Sequence, residues 1–305
     1  MRLLLLFLFL AIVSPAVSQS PARVAVPGTK ISMVPPTDFE LTTNFSGFEQ
    51  LATGASIMVN ELPGSAPVMI KNLTESALAA RGMKLLHKEP VNTPGVKGML
   101  YKIKQHANGI MYRKSILVFG DEARTLMATA TYPEAHSELE APLQASLLTC
   151  RYAPQQSNDK PVARLTVDVA GTKFKFAKNL AGGLIYTTDG KLPSLAADRA
   201  VFIVGSSLNY EQIADEKAYS LERLRKLPHG QTNQVRTITP ITIDGLEGYE
   251  IVADGLGSQK QKQVVYQTIL YPETGGYYWL VGTTENRSES DLNLFKTLAQ
   301  SFRRL

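Results

Sequence analysis

The chain has 305 residues, 44% of them hydrophobic and 19% charged, with a formal net charge of +5. The surplus is spread thinly, 13 basic against 11 acidic residues in 21–153 and 18 against 16 in 154–305. There is no cluster of Lys and Arg interleaved with aromatics, which argues against nucleic acid as a partner. The single cysteine, Cys150, cannot form an internal bridge, so the cores must hold the fold without disulfides.

The N-terminus reads as a signal peptide over 1–18. Arg2 is a short positive region, Leu3 to Val13 is an apolar stretch of 11 residues, and Ala16-Val17-Ser18 offers small residues for cleavage after Ser18. The stretch is short of the roughly 20 residues a membrane span needs. No comparable run follows, so no integral membrane segment is expected in the mature chain, and a periplasmic or secreted location is expected.

Next come strand-like runs at Thr29–Val34, Phe39–Thr42 and Ala55–Leu62. The period then changes. Met69, Leu73, Ala77 and Ala80 share one helical face over Val68–Arg81, and Gly82 is a natural stop. Four strands are expected at Lys84–Val91, Val96–Lys104, Ile110–Phe119 and Arg124–Thr131, with Asn108-Gly109 as a hairpin signal. A helix near Ser137–Cys150 closes the unit, and Pro142 requires it to start late or to bend. Leu139, Leu143, Leu147 and Cys150 are spaced for one face, which reads Cys150 as a small buried hydrophobe. The alternative is a reactive or intermolecular thiol.

"APQQSNDKP" at 153–161 is polar, holds two prolines and reads as a linker. The order then repeats. Strands are expected at Thr172–Phe176, Leu184–Thr187 and Ala200–Val204. A helix follows at Tyr210–Lys226, with Ile213, Ala214, Ala218, Leu221 and Leu224 inward. Further strands fall at Val235–Thr242, Leu246–Ala253, Gln263–Tyr271 and Tyr277–Thr283. The last helix opens at Ser288-Glu289-Ser290-Asp291, a capping-box pattern, with Leu292, Phe295, Leu298 or Ala299, and Phe302 inward.

Four matches in order make the repetition explicit: "PGTKISM" at 27–33 with "AGTKFKF" at 170–176, "LTTN" at 41–44 with "YTTD" at 186–189, "GVKG" at 95–98 with "GLEG" at 245–248, and "KSILVFG" at 114–120 with "QTILYPE" at 267–273. Their offset grows slowly, which indicates two globular copies, 22–152 and 162–305. Three strands, a helix, four strands and a helix per copy imply an α+β fold. Each copy is expected to be an α/β/α sandwich built on an antiparallel sheet of about six to seven strands. Runs such as "VVYQTILY" and "YYWLVGT" are apolar on both faces, as in a sheet covered on both sides. Each Gly-x-x-Gly lies between two strands. A phosphate loop needs a following helix N-terminus and a KH-type clamp sits between helices, so these glycines are turn residues supplying positive φ or close strand approach.

This layout, with "GTKISMVPP", "PGVKGMLYKI" and "DGLEGYEIVA", and the endings "LLTCRY" and "QSFRRL", resembles the PsbP-like family. That family includes the extrinsic oxygen-evolving subunit of photosystem II, and a Ran-binding nuclear import factor shares its fold. The resemblance implies α/β/α sandwiches that bind partners and are not, as a class, enzymes. The family has no shared catalytic motif, so no site residue is carried over.

The residues themselves assemble no catalytic constellation. His87, His106, His136 and His229 show no metal-ligand spacing among themselves. His136 and Glu140 in "HSELE" are i, i+4, which could hold a metal on a helix face, but acids in a first helical turn are the ordinary reading. "VGSSL" at 204–208 lacks the second glycine of a nucleophile elbow. In "GGYYWLVG" Tyr278 and Leu280 share one strand face and Tyr277, Trp279 and Val281 the other, as a ligand-stacking platform or, in the ordinary reading, as core under a helix. No catalytic, metal or cofactor residue is therefore assigned. The expectation is a non-catalytic exported binding or adaptor protein with a protein or small-molecule partner in the envelope. The rivals are a hydrolase with a site in the inter-domain groove and a structural envelope protein.

Overall fold

The computed structural model describes residues 22–107, 109–155, 165–180, 182–208, 210–257, 260–285 and 289–305. The signal-peptide reading, most of the linker, Asn108 and Ser288 lie outside them. The first half opens with β1 (Val24–Ala25), β2 (Ile31–Met33), β3 (Glu40–Leu41), β4 (Gly47–Gln50) and β5 (Ala55–Pro63). Then come α1 (Ala66–Asn72), α2 (Glu75–Ala79), β6 (Met83–Thr93), β7 (Val96–Ala107), β8 (Ile110–Gly120) and β9 (Arg124–Pro133). A 3-10 segment, Glu134–Leu139, leads into α3 (Glu140–Leu148) and β10 (Arg151–Tyr152). The second half has β11 (Leu165–Thr166), β12 (Lys175–Leu180), β13 (Gly183–Thr187), β14 (Val201–Ser206), α4 (Glu216–Arg225), β15 (Gln234–Ile243), β16 (Leu246–Leu256), β17 (Lys262–Tyr271), β18 (Tyr278–Thr284), α5 (Glu289–Gln300) and β19 (Arg303–Arg304).

Two seven-stranded antiparallel sheets carry the fold, in the orders β3-β4-β5-β9-β8-β7-β6 and β12-β13-β14-β18-β17-β16-β15. The orders are the same, position for position. Small sheets, β1-β2-β10 and β11-β19, tie each half's first segment to the strand after its last helix. The chain is thus two mostly-β domains with few helices.

The apolar pattern explains the packing. In β8, Leu117 and Phe119 join a core with α3 residues Leu143 and Leu147, while Ile116 and Val118 join a separate cluster with Leu73 and Leu78. Successive strand residues point to opposite faces, so this part of β8 is buried on both faces of the sheet. The second sheet does the same: Val264 and Tyr266 pack with Phe295 and Leu298 of α5, and Val265 packs with Leu224 of α4. Leu292, Phe295, Leu298, Ala299 and Phe302 are all buried, as their spacing predicts.

The repeated motifs fold alike. Thr29 Oγ1 donates to Val26 O (3.0 Å) and accepts from Ile31 N (3.1 Å); Thr172 Oγ1 donates to Val169 O (2.8 Å) and accepts from Phe174 N (3.1 Å). Gly95 (φ 96°) and Gly245 (φ 72°) turn the β6–β7 and β15–β16 hairpins. Gly98 and Gly248 lie flat against the next strand, where a Cβ would stand 2.1 Å from Val118 O and 1.9 Å from Ile269 O. Each motif therefore uses one glycine for positive φ and the other for close approach.

Several boundaries differ from the sequence reading. The helix expected over 68–81 is two: Leu73 leaves helical geometry (ψ 66°), and Thr74 caps α2 by accepting from Ala77 N. The helix expected from Tyr210 starts at Glu216, because Asp215 caps it and the backbone of Glu211 is spent on Gly276 N. Pro142 sits in the first turn of the late-starting α3, where its missing N–H costs nothing. Cys150 lies just past the helix, fully buried in the core. The run at 29–34 pairs in the small sheet rather than the large one, and the strand expected at 172–176 forms at Lys175–Leu180.

Candidate functional site

The halves meet at a loop of the first domain. Thr42 N donates to Gly47 O (3.2 Å) and Asn44 N to Thr42 Oγ1 (3.1 Å), which folds residues 42–47 into a compact tip. Phe45 in that tip is 2% exposed. Asn44 Nδ2 donates to Tyr210 Oη across the joint (2.8 Å). The second domain answers with Gly182 at φ 79°, where a Cβ would stand 2.3 Å from Asn44 O. Only glycine permits that backbone approach.

Tyr210 is held in place by the β17–β18 turn. Gly275 and Gly276 take positive φ (85° and 74°). Gly276 N donates to Glu211 O (2.8 Å) and Gln212 Nε2 to Glu273 O (2.9 Å). At the exit of β14, Ser207 N donates to Tyr277 O (2.7 Å) and Tyr277 N to Ser207 Oγ (3.0 Å). These contacts enclose a cleft of about 180 Å³. Its walls are Thr43 and Asn44 from the first domain, with Ser206, Ser207, Tyr210, Thr274, Tyr277 and Tyr278 from the second; Leu165, Gly182, Pro272 and Gly275 complete it. No lining side chain carries a charge.

The aromatic walls are stiffened from behind. Tyr277 meets Tyr219 edge-on at 5.3 Å, and the Arg223 guanidinium lies 5.6 Å from the Tyr277 ring. Burial, reinforced by Tyr277, pushes the Tyr219 phenol well up. Tyr278 packs on Phe302 at 5.2 Å. Near the joint, burial lowers the pKa of Lys178 while Glu61 of the first domain opposes that shift. The cleft is neutral, rich in hydroxyls and aromatic, which suits hydrogen bonding and stacking.

The residues singled out in the sequence fare differently. Cys150 is buried with its thiol pushed up to about 12 by burial, so it is no nucleophile at neutral pH. His136 and Glu140 are not brought together. His136 has non-helical torsions (φ −108°, ψ 49°) and its Nδ1 contacts Glu138 Oε1 at 3.1 Å. Glu140 instead accepts from Lys102 Nζ (2.8 Å) and Tyr132 Oη (3.1 Å), and the Lys102 contact is the largest cause of its lowered pKa. Among the described residues no group of three His, Cys, Asp or Glu side chains is arranged to hold a metal. Trp279 is half-buried over Gly205, with Nε1 3.4 Å from Ser206 O. "VGSSL" forms no elbow, yet Ser206 and Ser207 line the cleft. Asn44, Gly182 and Tyr210 had no sequence signal beyond the Gly pairs at 182–183 and 275–276.

No family model matches the chain, and no curated protein is similar to it. Among solved structures, LpqN, involved in cell envelope biogenesis of Mycobacterium tuberculosis, is 12% identical over 45% of this chain and 81% of its own, with a TM-score of 0.33. A chain of the Tle4–Tli4 complex is 11% identical over 92% of this chain and 97% of its own, at 0.32. The immunity protein TplEi of Pseudomonas aeruginosa, complexed with an "L" peptide, is 9% identical with the same coverage, at 0.29. These superpositions are loose, and no activity or partner is carried from them to this chain.

Proposed function

We propose that the chain is a non-catalytic binding protein of the cell envelope, exported through residues 1–18. In this reading it is built from two PsbP-like domains, 22–152 and 162–305, and it engages a protein partner at the cleft where they meet. The thin helical cover on both faces of each sheet supports reading the domains as reduced α/β/α sandwiches.

One observation carries the functional reading: the cleft joins tyrosines with Ser, Thr, Asn and Gly and holds no charge. Tyrosine supplies large rigid contact at low entropic cost, and small polar residues supply adaptable hydrogen bonds, the mix that protein-recognition surfaces favour. A volume near 180 Å³ admits one side chain or a loop tip rather than a folded element.

The test is affinity capture of partners from an envelope fraction by the mature protein, beside Tyr210→Ala and Ser207→Trp. Both changes lie on the cleft wall and leave the cores intact. The proposal expects a discrete protein captured by the wild type and lost with both variants. Capture unchanged by both, or hydrolysis of a captured ester or peptide, contradicts it.

A further inference from the structure

The first domain opens its own pocket, of about 210 Å³, at the end of its sheet where the β8–β9 turn lies. The second domain's cleft is built on the matching β17–β18 turn. The chemistry differs. Here the floor is Phe119 and Leu126, the walls are Tyr152 and the backbone of Gly95 and Gly120, and the rim carries Lys97, Arg124 and Asp121.

Arg124 is poised rather than spent. Its guanidinium carbon lies 4.4 Å from the centre of the Tyr152 ring, which fixes the plane of the fork. Its acidic neighbours, Glu61 Oε1 and Asp121 Oδ2, are both 3.9 Å away. A charge-assisted hydrogen bond closes at about 2.7–2.9 Å, so neither acid occupies the fork. Asp121 Oδ1 is instead turned to Ala123 N (2.9 Å). Lys97 is exposed and makes no ion pair among the described residues. The Tyr152 hydroxyl is buried and makes no hydrogen bond among the described residues. A buried donor without an acceptor is costly and calls for an explanation.

An apolar floor, a planar fork whose two acidic neighbours both stand at 3.9 Å, and a second cation at the rim together suit one class of ligand. We infer that this pocket binds a monocarboxylate carrying a short apolar body, its carboxylate on Arg124 and Lys97 and its apolar part on Phe119 and Leu126. A free acid and the C-terminal residue of a peptide both present that chemistry. The site is separate from the neutral cleft and does not depend on the reading given to it.

The test is a titration of the mature protein followed by amide shifts in NMR spectra. The probes are hexanoate against hexanamide, and acetyl-Ala-Ala-Phe with a free C-terminus against its amide. At least one carboxylate should move the amides of Gly95, Phe119 and Gly120 and bind at least tenfold tighter than its matched amide. The better carboxylate identifies the source. Arg124→Met keeps the stem on Tyr152 and removes the fork, and should weaken that binding tenfold or more. Lys97→Met should weaken it about threefold. Equal binding of carboxylate and amide, absence of binding, or undiminished binding by Arg124→Met overturns the inference. If Arg124→Met does not fold, the exposed Lys97→Met decides: a threefold loss supports the site and unchanged affinity overturns it.

Discussion

Adding one methyl group at Gly248 puts a Cβ 1.9 Å from Ile269 O and 2.9 Å from its carbonyl carbon, with both obstacles in the backbone of β17. Close carbon–oxygen contacts between strands sit at about 3.3–3.6 Å. Strands β16 and β17 would have to part by about 1 Å or more at a spacing near 4.8 Å. Overpacking of this kind costs about 1–3 kcal/mol, and each ladder hydrogen bond lost nearby adds about 1 kcal/mol. Gly248→Ala should therefore cost about 2–5 kcal/mol, and Gly98→Ala, 2.1 Å from Val118 O, about the same. Gly82→Ala provides the contrast. Nothing lies within 4 Å of its added Cβ, and only its positive φ of 70° is strained, worth about 1 kcal/mol. Urea unfolding of the three variants measures these costs directly. If Gly98→Ala and Gly248→Ala lose no more stability than Gly82→Ala, the close-approach reading of the second glycine is wrong.

Cys150 should label slowly with a thiol reagent in the native protein and fast once denatured, because burial keeps it a thiol; native labelling at the rate of a free model thiol would contradict its core placement. Asp189 accepts from Leu195 N (2.8 Å), Lys191 N (3.2 Å), Thr187 Oγ1 (3.1 Å) and Ser194 Oγ (2.9 Å), and its carboxyl lies at about 2, held there first by the Leu195 bond. Its folded value is depressed, so its contribution is full above the unfolded value near 4 and is lost as pH falls through about 2. The gap in urea midpoint between wild type and Asp189→Ala should accordingly narrow below about pH 4; a gap that widens there would contradict the bond set. Phe295→Ala, at a site where Phe174, Phe202 and Tyr266 converge, should cost about 3–5 kcal/mol on thermal or urea unfolding. Gly182→Ala should loosen the joint, read as a larger radius of gyration in solution scattering with both cores intact; an unchanged radius would show that the approach to Asn44 is not what holds the halves.

Local patterns carried most of the fold. The repeat of Gly-Thr-Lys at 28–30 and 171–173 is legible, but alternation reads both threonines as strand, whereas each uses its hydroxyl to bridge a turn ahead of the next strand. The strands from 83 to 133 and from 234 to 284 are legible from alternation. Helix boundaries were less so. Leu73 continues the apolar period through a break that Thr74 makes by capping the next helix, and Ile213 and Ala214 continue it ahead of the true start at Glu216. Periodicity reports which face is apolar, not whether the backbone hydrogen bonds are spent elsewhere. The cleft was illegible for a different reason. Asn44, Gly182 and the pair Ser207 and Tyr210 come from three separate connections, and their meeting depends on how two domains dock. The same holds for the carboxylate pocket, where Tyr152 and Arg124 are adjacent only through the terminal strand β10.

The central claim is that a partner enters the neutral cleft between the domains. A photo-activated cross-linking side chain placed at Thr274 on the exposed rim of the cleft, and separately at Lys88 on the outer strand β6, tests it in the envelope of the producing cell. The account predicts one discrete protein adduct from position 274 and none from position 88. Adducts from position 88 alone, or none from either, would contradict it.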